Sequence, residues 1–160
     1  MRRRKLWIGV GALAVALWLA GHWRGQRVET PPGEQKDSIL VNRLWVDHIP
    51  TKETDAFDIF AVLTRRPVGV FQHGSLWEGE WAMFEWQMKG EKKDLHIRFP
   101  QSGQQATIEW TIQDSRKAPF DYCLTLKGNP RGPEKWYSRK EWVIGSLAEV
   151  ETLKEQMPAD

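Results

Sequence analysis

Three histidines and the single cysteine are the residues best suited to metal binding or proton transfer. His48, His73 and His96 lie on three different predicted strands, and Cys123 lies on a fourth. No two of the histidines have the short local spacing that at least one ligand pair of a zinc site normally shows. We therefore predict no metal site and no cofactor, and we interpret Cys123 as a half-buried structural thiol.

One short segment contains groups that hydrolases use. In His73-Gly74-Ser75 the imidazole and the hydroxyl would share one face of a strand. A serine hydrolase also needs a group that orients the base and an oxyanion hole, and no G-x-S-x-G elbow surrounds Ser75. Glu78 and Glu80 share a face as the carboxylates of a glycosidase would, although solvent exposure explains them equally. We predict no catalytic residue, and a hydrolase stays as a third alternative.

A basic cluster occupies residues 127–140, where five basic side chains and one acidic one surround two aromatic residues. Glycines and prolines in the same segment predict irregular backbone. Arg131 and Arg139 could hold an anionic head group such as a phosphate or a carboxylate. The alternative is an ordinary solvated loop.

Strict alternation of apolar and polar residues predicts the two clearest strands, at residues 95–99 and 106–112. Residues 100–103 carry turn-forming side chains, so the two strands should form a hairpin. Their apolar faces are the candidate lining of a ligand site, with Arg131 and Arg139 near its mouth. The lining residues are Leu95, Ile97, Phe99, Ile108, Trp110 and Ile112.

Less regular alternation predicts further strands, which brings the number to seven or eight. They lie at residues 41–48, 57–63, 68–74, 76–88 and 120–126, with another near 135–143. Ser146 and Glu149 then have capping-box spacing, and Val150, Leu153 and Met157 follow at helical spacing. A short C-terminal helix is expected.

The strand at residues 76–88 is apolar on both faces. Trp77, Trp81 and Met83 share one face, whereas Phe84 and Trp86 share the other. We interpret this as a change of face at a β-bulge near residues 82–84. Filling of the protein core is one explanation for these aromatic residues. A ligand cavity, or an exposed surface that binds a sugar or a protein, is the other.

The first 23 residues predict a membrane anchor. Sixteen residues without charge, 6–21, follow the basic run at 2–5, and tryptophans lie near both ends. Residues 6–23 should therefore lie in the bilayer of the cytoplasmic membrane, with the N-terminus in the cytoplasm and the domain on the periplasmic or extracellular side. A cleaved signal peptide is the alternative, although no convincing cleavage site follows the apolar run.

The rest of the chain divides into a linker and one domain. Residues 24–38 are polar and contain Pro31-Pro32-Gly33, as a flexible linker does. Residues 39–160 suffice for one domain with its own core. Residues 28–160 hold 17 basic and 21 acidic side chains, a net charge of −4, which argues against a nucleic-acid partner.

An antiparallel meander of seven or eight strands with a late helix resembles the lipocalin-like, or calycin, β-barrels. That resemblance implies an all-β barrel that binds hydrophobic ligands in a cup. Lipocalins have Gly-x-Trp in their first strand, whereas Trp45 here follows Arg43-Leu44. They also place a late basic residue over that tryptophan, a role that Arg139 could fill only if Trp45 matches the lipocalin tryptophan. Segments such as Phe99-Pro100-Gln101 also resemble uncharacterised bacterial envelope proteins.

The function that these observations favour is binding without catalysis. We expect a membrane-anchored extracytoplasmic module that binds a hydrophobic or amphipathic envelope ligand, which could be a lipid-like small molecule. The first alternative is a module that contacts an envelope protein or a glycan through exposed aromatic side chains.

Overall fold

A computed structural model describes residues 37–90 and 94–157 of the 160-residue chain. Its centre is a closed antiparallel barrel of eight strands in sequence order, which confirms the predicted all-β barrel. The strands and the C-terminal helix have these bounds: β1 Trp45–Val46, β2 Phe57–Leu63, β3 Val68–Gly74, β4 Gly79–Lys89, β5 Asp94–Arg98, β6 Gln105–Asp114, β7 Tyr122–Lys127, β8 Lys135–Ser138 and α1 Leu147–Glu155.

Short turns connect most of the strands, and β1 closes the barrel by pairing with both β2 and β8. The predicted hairpin is confirmed, since Leu95 of β5 lies opposite Ile108 of β6. β1 and β8 are shorter than predicted. Beyond them, only a single bridge joins Arg43 to Val143.

The predicted bulge in β4 is wrong. β4 pairs with β3 in one unbroken register, from Val68 opposite Glu85 to Gly74 opposite Gly79. Ala82 and Phe84 both belong to the interior cluster, whereas Trp81 and Met83 are exposed on the outside. The strand alternates normally, and two apolar side chains, Trp81 and Met83, lie on its outer face.

The barrel interior is filled by its own side chains. Its centre is aromatic: the ring centroid of Phe60 lies 5.1 Å from that of Phe71 and 5.7 Å from that of Trp136. Such contacts are typical of a packed protein core. The buried members of this interior cluster are Leu40, Trp45, Phe60, Val62, Phe71, Ala82, Phe84, Leu95, Ile97, Phe99, Ile108, Ile112, Leu124, Leu126 and Trp136.

A second cluster covers the outside of β1 and β2. Ile59 and Ala61 of β2 pack there with Val150 of α1 and with Met157 just after it. The predicted helix forms without its capping box, because Glu149 accepts hydrogen bonds from the Gly145 N–H (3.0 Å) and the Ser146 hydroxyl (2.9 Å) instead of from the Ser146 N–H. The Ser146 side chain makes no capping bond to the helix backbone.

The two ends of the barrel differ. At one end, residues 37–40 are helical and Leu40 is fully buried, with its carbonyl accepting a hydrogen bond from Trp45 Nε1 at 3.1 Å. The other end, where β3 ends and β4 begins, we call the mouth. No helix within residues 37–90 and 94–157 has the length and hydropathy to cross a membrane. The anchor predicted at residues 1–23, and the linker up to residue 36, lie outside the described residues.

Candidate functional site at the barrel mouth

Three titratable side chains lie side by side at the mouth on neighbouring strands. Asp58 of β2 is opposite His73 of β3, and His73 is opposite Glu80 of β4. Because strand residues alternate between faces, all three share the inward face with Phe60 and Phe71. They form a polar rim above the aromatic interior.

Asp58 and His73 form a hydrogen-bonded pair, with His73 Nδ1 2.8 Å from Asp58 Oδ1. The backbone of Asp58 is held as well, because its N–H donates to Asp47 Oδ1 at 2.9 Å. The Asp58 side chain is 19% exposed and that of His73 is 71% exposed. The pair therefore presents the remaining imidazole nitrogen, Nε2, to solvent.

The loop between β7 and β8 brings a cation to the same rim. Asn129 Nδ2 donates to the carbonyls of Arg131 (2.7 Å) and Pro133 (3.0 Å), which fixes the loop from within. Gly132 has φ +72°, and a Cβ there would lie 2.7 Å from the Trp136 ring, so only glycine lets the loop lie so close. The Arg131 guanidinium lies 5.1 Å from the Phe99 ring centroid, in a cation–π contact.

These groups enclose a pocket of about 210 Å³. Its charged walls come from Asp58, His73, Glu80 and Arg131, and its apolar surface includes Phe71, Ala82 and Trp136. The indole Nε1 of Trp136 is buried and has no hydrogen-bond partner in the described part of the chain. A pocket with few charged groups over an apolar surface is the usual form of a small-molecule site.

Two charged groups of this pocket, the Glu80 carboxylate and the Arg131 guanidinium, remain available to a ligand. Among the described residues, neither Glu80 nor the Arg131 guanidinium has a hydrogen-bond or ion-pair partner. Glu80 can accept bonds from an amine or hydroxyl, and Arg131 can donate to a carboxylate or phosphate. The two side chains therefore offer opposite charges to one bound molecule.

The structure places the predicted lining inside the filled barrel. Leu95, Ile97, Phe99, Ile108 and Ile112 are buried in the interior cluster, and Trp110 packs against it partly buried. Of these six, Phe99 is the one that contacts a charged group of the mouth pocket, through Arg131.

The two predicted arginines lie at opposite ends of β8. Arg131 precedes β8 and belongs to the mouth, whereas Arg139 follows the strand at the far end. The Arg139 guanidinium lies 5.5 Å from the Trp142 ring centroid and 3.7 Å from Glu141. Arg139 therefore lies over Trp142, whereas Trp45 is buried in the interior cluster and its indole N–H donates to the Leu40 carbonyl.

Ser75, considered above for hydrolysis, makes structural contacts. The side chains of Glu78 and Glu80 have no hydrogen-bond or ion-pair partner among the described residues. Ser75 Oγ accepts hydrogen bonds from the backbone N–H groups of Trp77 (3.3 Å) and Glu78 (3.2 Å), so it caps the turn before β4. His73 lines a neighbouring depression with Ser75, but its Nδ1 contacts Asp58. His73 and Asp58 therefore contact each other as a base and an orienting carboxylate would. The Ser75 hydroxyl instead bonds the backbone of the turn.

The remaining histidines and the cysteine lie apart from one another. His48 contacts Asp47 at 2.8 Å, and His96 contacts Thr107 at 3.0 Å on the outside of the barrel. Cys123 of β7 is buried, more deeply than predicted. Within the residues that the structure covers, no group of three or more histidine, cysteine or acidic side chains could hold a metal ion.

A larger groove of about 820 Å³ crosses the outside of β4, β5 and β6. Two pairs of its polar side chains already bond each other, since Arg98 pairs with Glu85 at 3.1 Å and His96 bonds Thr107. The mouth pocket is smaller, but it places the Glu80 carboxylate and the Arg131 guanidinium, both unpaired among the described residues, beside an apolar surface. It is therefore the better candidate site.

Sequence reasoning singled out His73, Glu80 and Arg131 separately and did not find Asp58. The four residues are brought together by strand register, which single-strand alternation does not reveal. The available signal was a polar residue at an inward position of an otherwise apolar strand, since Asp58 interrupts the run from Phe57 to Leu63.

No protein-family model matches the chain. Comparisons with the curated proteins and with the solved structures also give no match.

Proposed function

We propose that this chain is a membrane-tethered, extracytoplasmic binding module that holds an amphipathic envelope ligand by its polar group at the barrel mouth. The observation that carries the proposal is the pocket in which Glu80 and Arg131 lie unpaired beside the Asp58–His73 pair. The module binds its ligand without transforming it.

The chemistry of the mouth favours a ligand with two kinds of polar group. An acidic group, such as a phosphate or carboxylate, would bind the Arg131 guanidinium. An amine or hydroxyl on the same ligand would donate to Glu80. Because the interior is filled, the apolar part of the ligand stays outside the barrel, where Trp77 is exposed.

The proposed location rests on the N-terminal sequence. Residues 6–23 anchor the chain in the cytoplasmic membrane, and the basic residues at 2–5 keep the N-terminus in the cytoplasm. The barrel is then on the periplasmic or extracellular side, in reach of envelope lipids and their precursors. An alkaline phosphatase fused after residue 160 should be active, and a green fluorescent protein at that position should be dark.

The lipocalin resemblance supports the binding proposal at the level of architecture. Closed antiparallel eight-strand barrels with one late helix commonly present a ligand site at one end. In this chain the site is proposed at the mouth rather than in a deep cup.

Native mass spectrometry of the full chain, purified from its membrane in mild detergent, tests this function. We expect the wild-type protein to retain a small molecule of defined mass, and Arg131→Ala to retain at least about tenfold less because one charge-assisted bond is lost. Arg98→Ala is the matched control, since Arg98 is an exposed arginine on the outer face paired with Glu85.

Two results would overturn the proposal. One is the absence of any bound molecule from wild-type protein that is folded by circular dichroism. The other is equal retention by the wild type and both arginine variants, because the ligand would then lie elsewhere. Turnover of the retained molecule on incubation would favour the hydrolase alternative.

A further inference from the structure

Within the part of the chain that the structure describes, a stretch of β4 has no neighbouring strand on one side. β4 pairs with β3 from Gly79 onward, whereas its pairing with β5 begins only at Glu85, opposite Arg98. If β5 continued, Pro100 would lie opposite Met83, and proline has no N–H to give to a ladder. The chain turns away at that point. We call residues 79–83 the free edge of β4.

The backbone of the free edge points its polar groups into this gap. In an antiparallel pair, alternate residues bond to the same neighbour. The Trp86 N–H donates to the Pro67 carbonyl at 3.2 Å, which assigns the even-numbered residues of β4 to β3. The N–H and C=O groups of Trp81 and Met83 therefore face the other side. Residues 37–90 and 94–157 supply no backbone partner for them there.

The side chains of the free edge differ between its two faces. On the outer face Trp81 is 37% and Met83 42% exposed, and the neighbouring Trp77 is 74% exposed. On the inner face Glu80 is exposed at the mouth, next to Asp58 and His73. A strand laid along this edge would meet apolar side chains on one face and the Glu80 carboxylate on the other.

We propose that the free edge of β4 binds an extended segment of a partner protein as an added antiparallel strand. The partner's backbone bonds to Trp81 and Met83, its apolar side chains cover those two residues, and its alternate basic side chains face Glu80. Main-chain bonds of this kind give affinity, and the alternating side chains give specificity. The antiparallel direction continues the pairing used throughout the barrel.

The sequence of the edge supports its use as a docking site. Proteins commonly block an exposed edge with lysine, proline or a bulge, because unpaired strands otherwise join other chains. Residues 79–83 contain no lysine, proline or bulge, and Glu80 is their single inward-pointing charge. Their one charged residue, Glu80, favours a basic partner through charge complementarity.

A synthetic peptide tests the proposal directly. The probe is a seven-residue peptide of alternating valine and lysine, blocked at both ends and titrated into the full chain in detergent by calorimetry. A matched peptide of alternating valine and glutamate should bind at least about tenfold more weakly, because its carboxylates meet Glu80. Equal affinity for both peptides, or binding of soluble glycan strands with no binding of either peptide, would overturn the proposal.

N-methylated peptides identify the backbone contact without changing the protein. In the proposed register the valine N–H groups face β4 and the lysine N–H groups face solvent. Methylating the central valine nitrogens should therefore reduce affinity at least about tenfold, whereas methylating the lysine nitrogens should change it less than about threefold. Equal losses for the two peptides would mean that no strand is added.

A protein variant gives the complementary test. Met83→Pro removes the outward N–H of Met83 and leaves the bonds between β3 and β4 in place, a position where proline is tolerated on edge strands. Peptide affinity should fall at least about tenfold in Met83→Pro and less than about threefold in Met83→Thr, which keeps the N–H. Unchanged affinity in folded Met83→Pro would contradict the proposal. The N-methyl comparison decides if that variant does not fold.

Discussion

His73 Nδ1 lies 2.8 Å from Asp58 Oδ1, and this bond crosses from β3 to β2 at the barrel mouth. An ionised carboxylate can only accept, so the proton of the neutral imidazole must be on Nδ1. We expect long-range proton–nitrogen NMR spectra of neutral His73 to show the Nδ1–H tautomer.

Two neighbouring variants make that test specific. Asp58→Ala should abolish the preference of His73 for the Nδ1–H tautomer, because the acceptor is removed. Glu80→Gln should keep it, since Glu80 lies on the other side of His73 and is not bonded to Nδ1. The same tautomer in Asp58→Ala would show that another group orients the ring.

The filled interior predicts a large cost for removing a central ring. Phe60 is fully buried, and its ring lies 5.1 Å from Phe71 and 5.7 Å from Trp136. Phe60→Ala should lower the free energy of unfolding by about 3–5 kcal/mol in urea denaturation. Met83→Ala, on the exposed outer face of β4, should change it by about 0.5 kcal/mol or less. Similar small effects for both would indicate a hollow barrel.

Gly69 of β3 is required by close packing across the barrel. A Cβ at this position would lie 2.3 Å from the Phe84 ring and 2.8 Å from the Ala61 carbonyl oxygen. Gly69→Ala should therefore lower the free energy of unfolding by about 1–3 kcal/mol, because Phe84 must move. Gly145→Ala is the control, since its nearest atom would be Glu149 Oε1 at 3.5 Å. Chemical denaturation of both variants measures the difference, and equal effects would argue against the clash.

The loop before β2 should lose stability in acid. Hydrogen bonds lower the pKa of Asp55 below its ordinary 3.8, chiefly the bond from the Thr51 hydroxyl and then those from the Thr51 and Lys52 N–H groups. The stabilisation is complete above the unfolded pKa and is lost as the pH falls through the folded pKa.

Urea denaturation across this acidic range measures the effect. The stability difference between the wild type and Asp55→Asn should be constant near neutral pH and shrink as the pH falls through the folded pKa of Asp55. Thr51→Val should reduce the same pH-dependent difference, because it removes the hydroxyl donor. A difference that grows toward low pH would contradict this account.

Local patterns predicted the strands well where one face meets the core. The bounds of β2 and β3 agree with those predicted, since their apolar runs are separated by a turn that contains Pro67. In β4 the apolar Trp81 and Met83 predict a change of face and hence a bulge, whereas the structure keeps both side chains on the outer face of an unbroken strand. Exposure of apolar side chains breaks the alternation rule without any change in the backbone.

The candidate site depends on information that no single segment carries. Asp58, His73 and Glu80 meet because the β2–β3 and β3–β4 registers align them, and Arg131 joins them from a loop more than fifty residues later. Composition correctly indicated that Arg131 lies in a loop. The residues that Arg131 lies beside are determined by the folded barrel, and no local sequence pattern indicates them.

Burial of the only cysteine makes this protein convenient to label. Cys123 lies within β7, opposite Gln113 and Tyr137, and is 6% exposed. Its thiol should therefore react with a maleimide only when that part of the sheet opens. A fluorophore or spin label can thus be attached to an engineered cysteine at the mouth or the free edge while Cys123 stays in place, and late labelling of Cys123 then times the unfolding of the barrel.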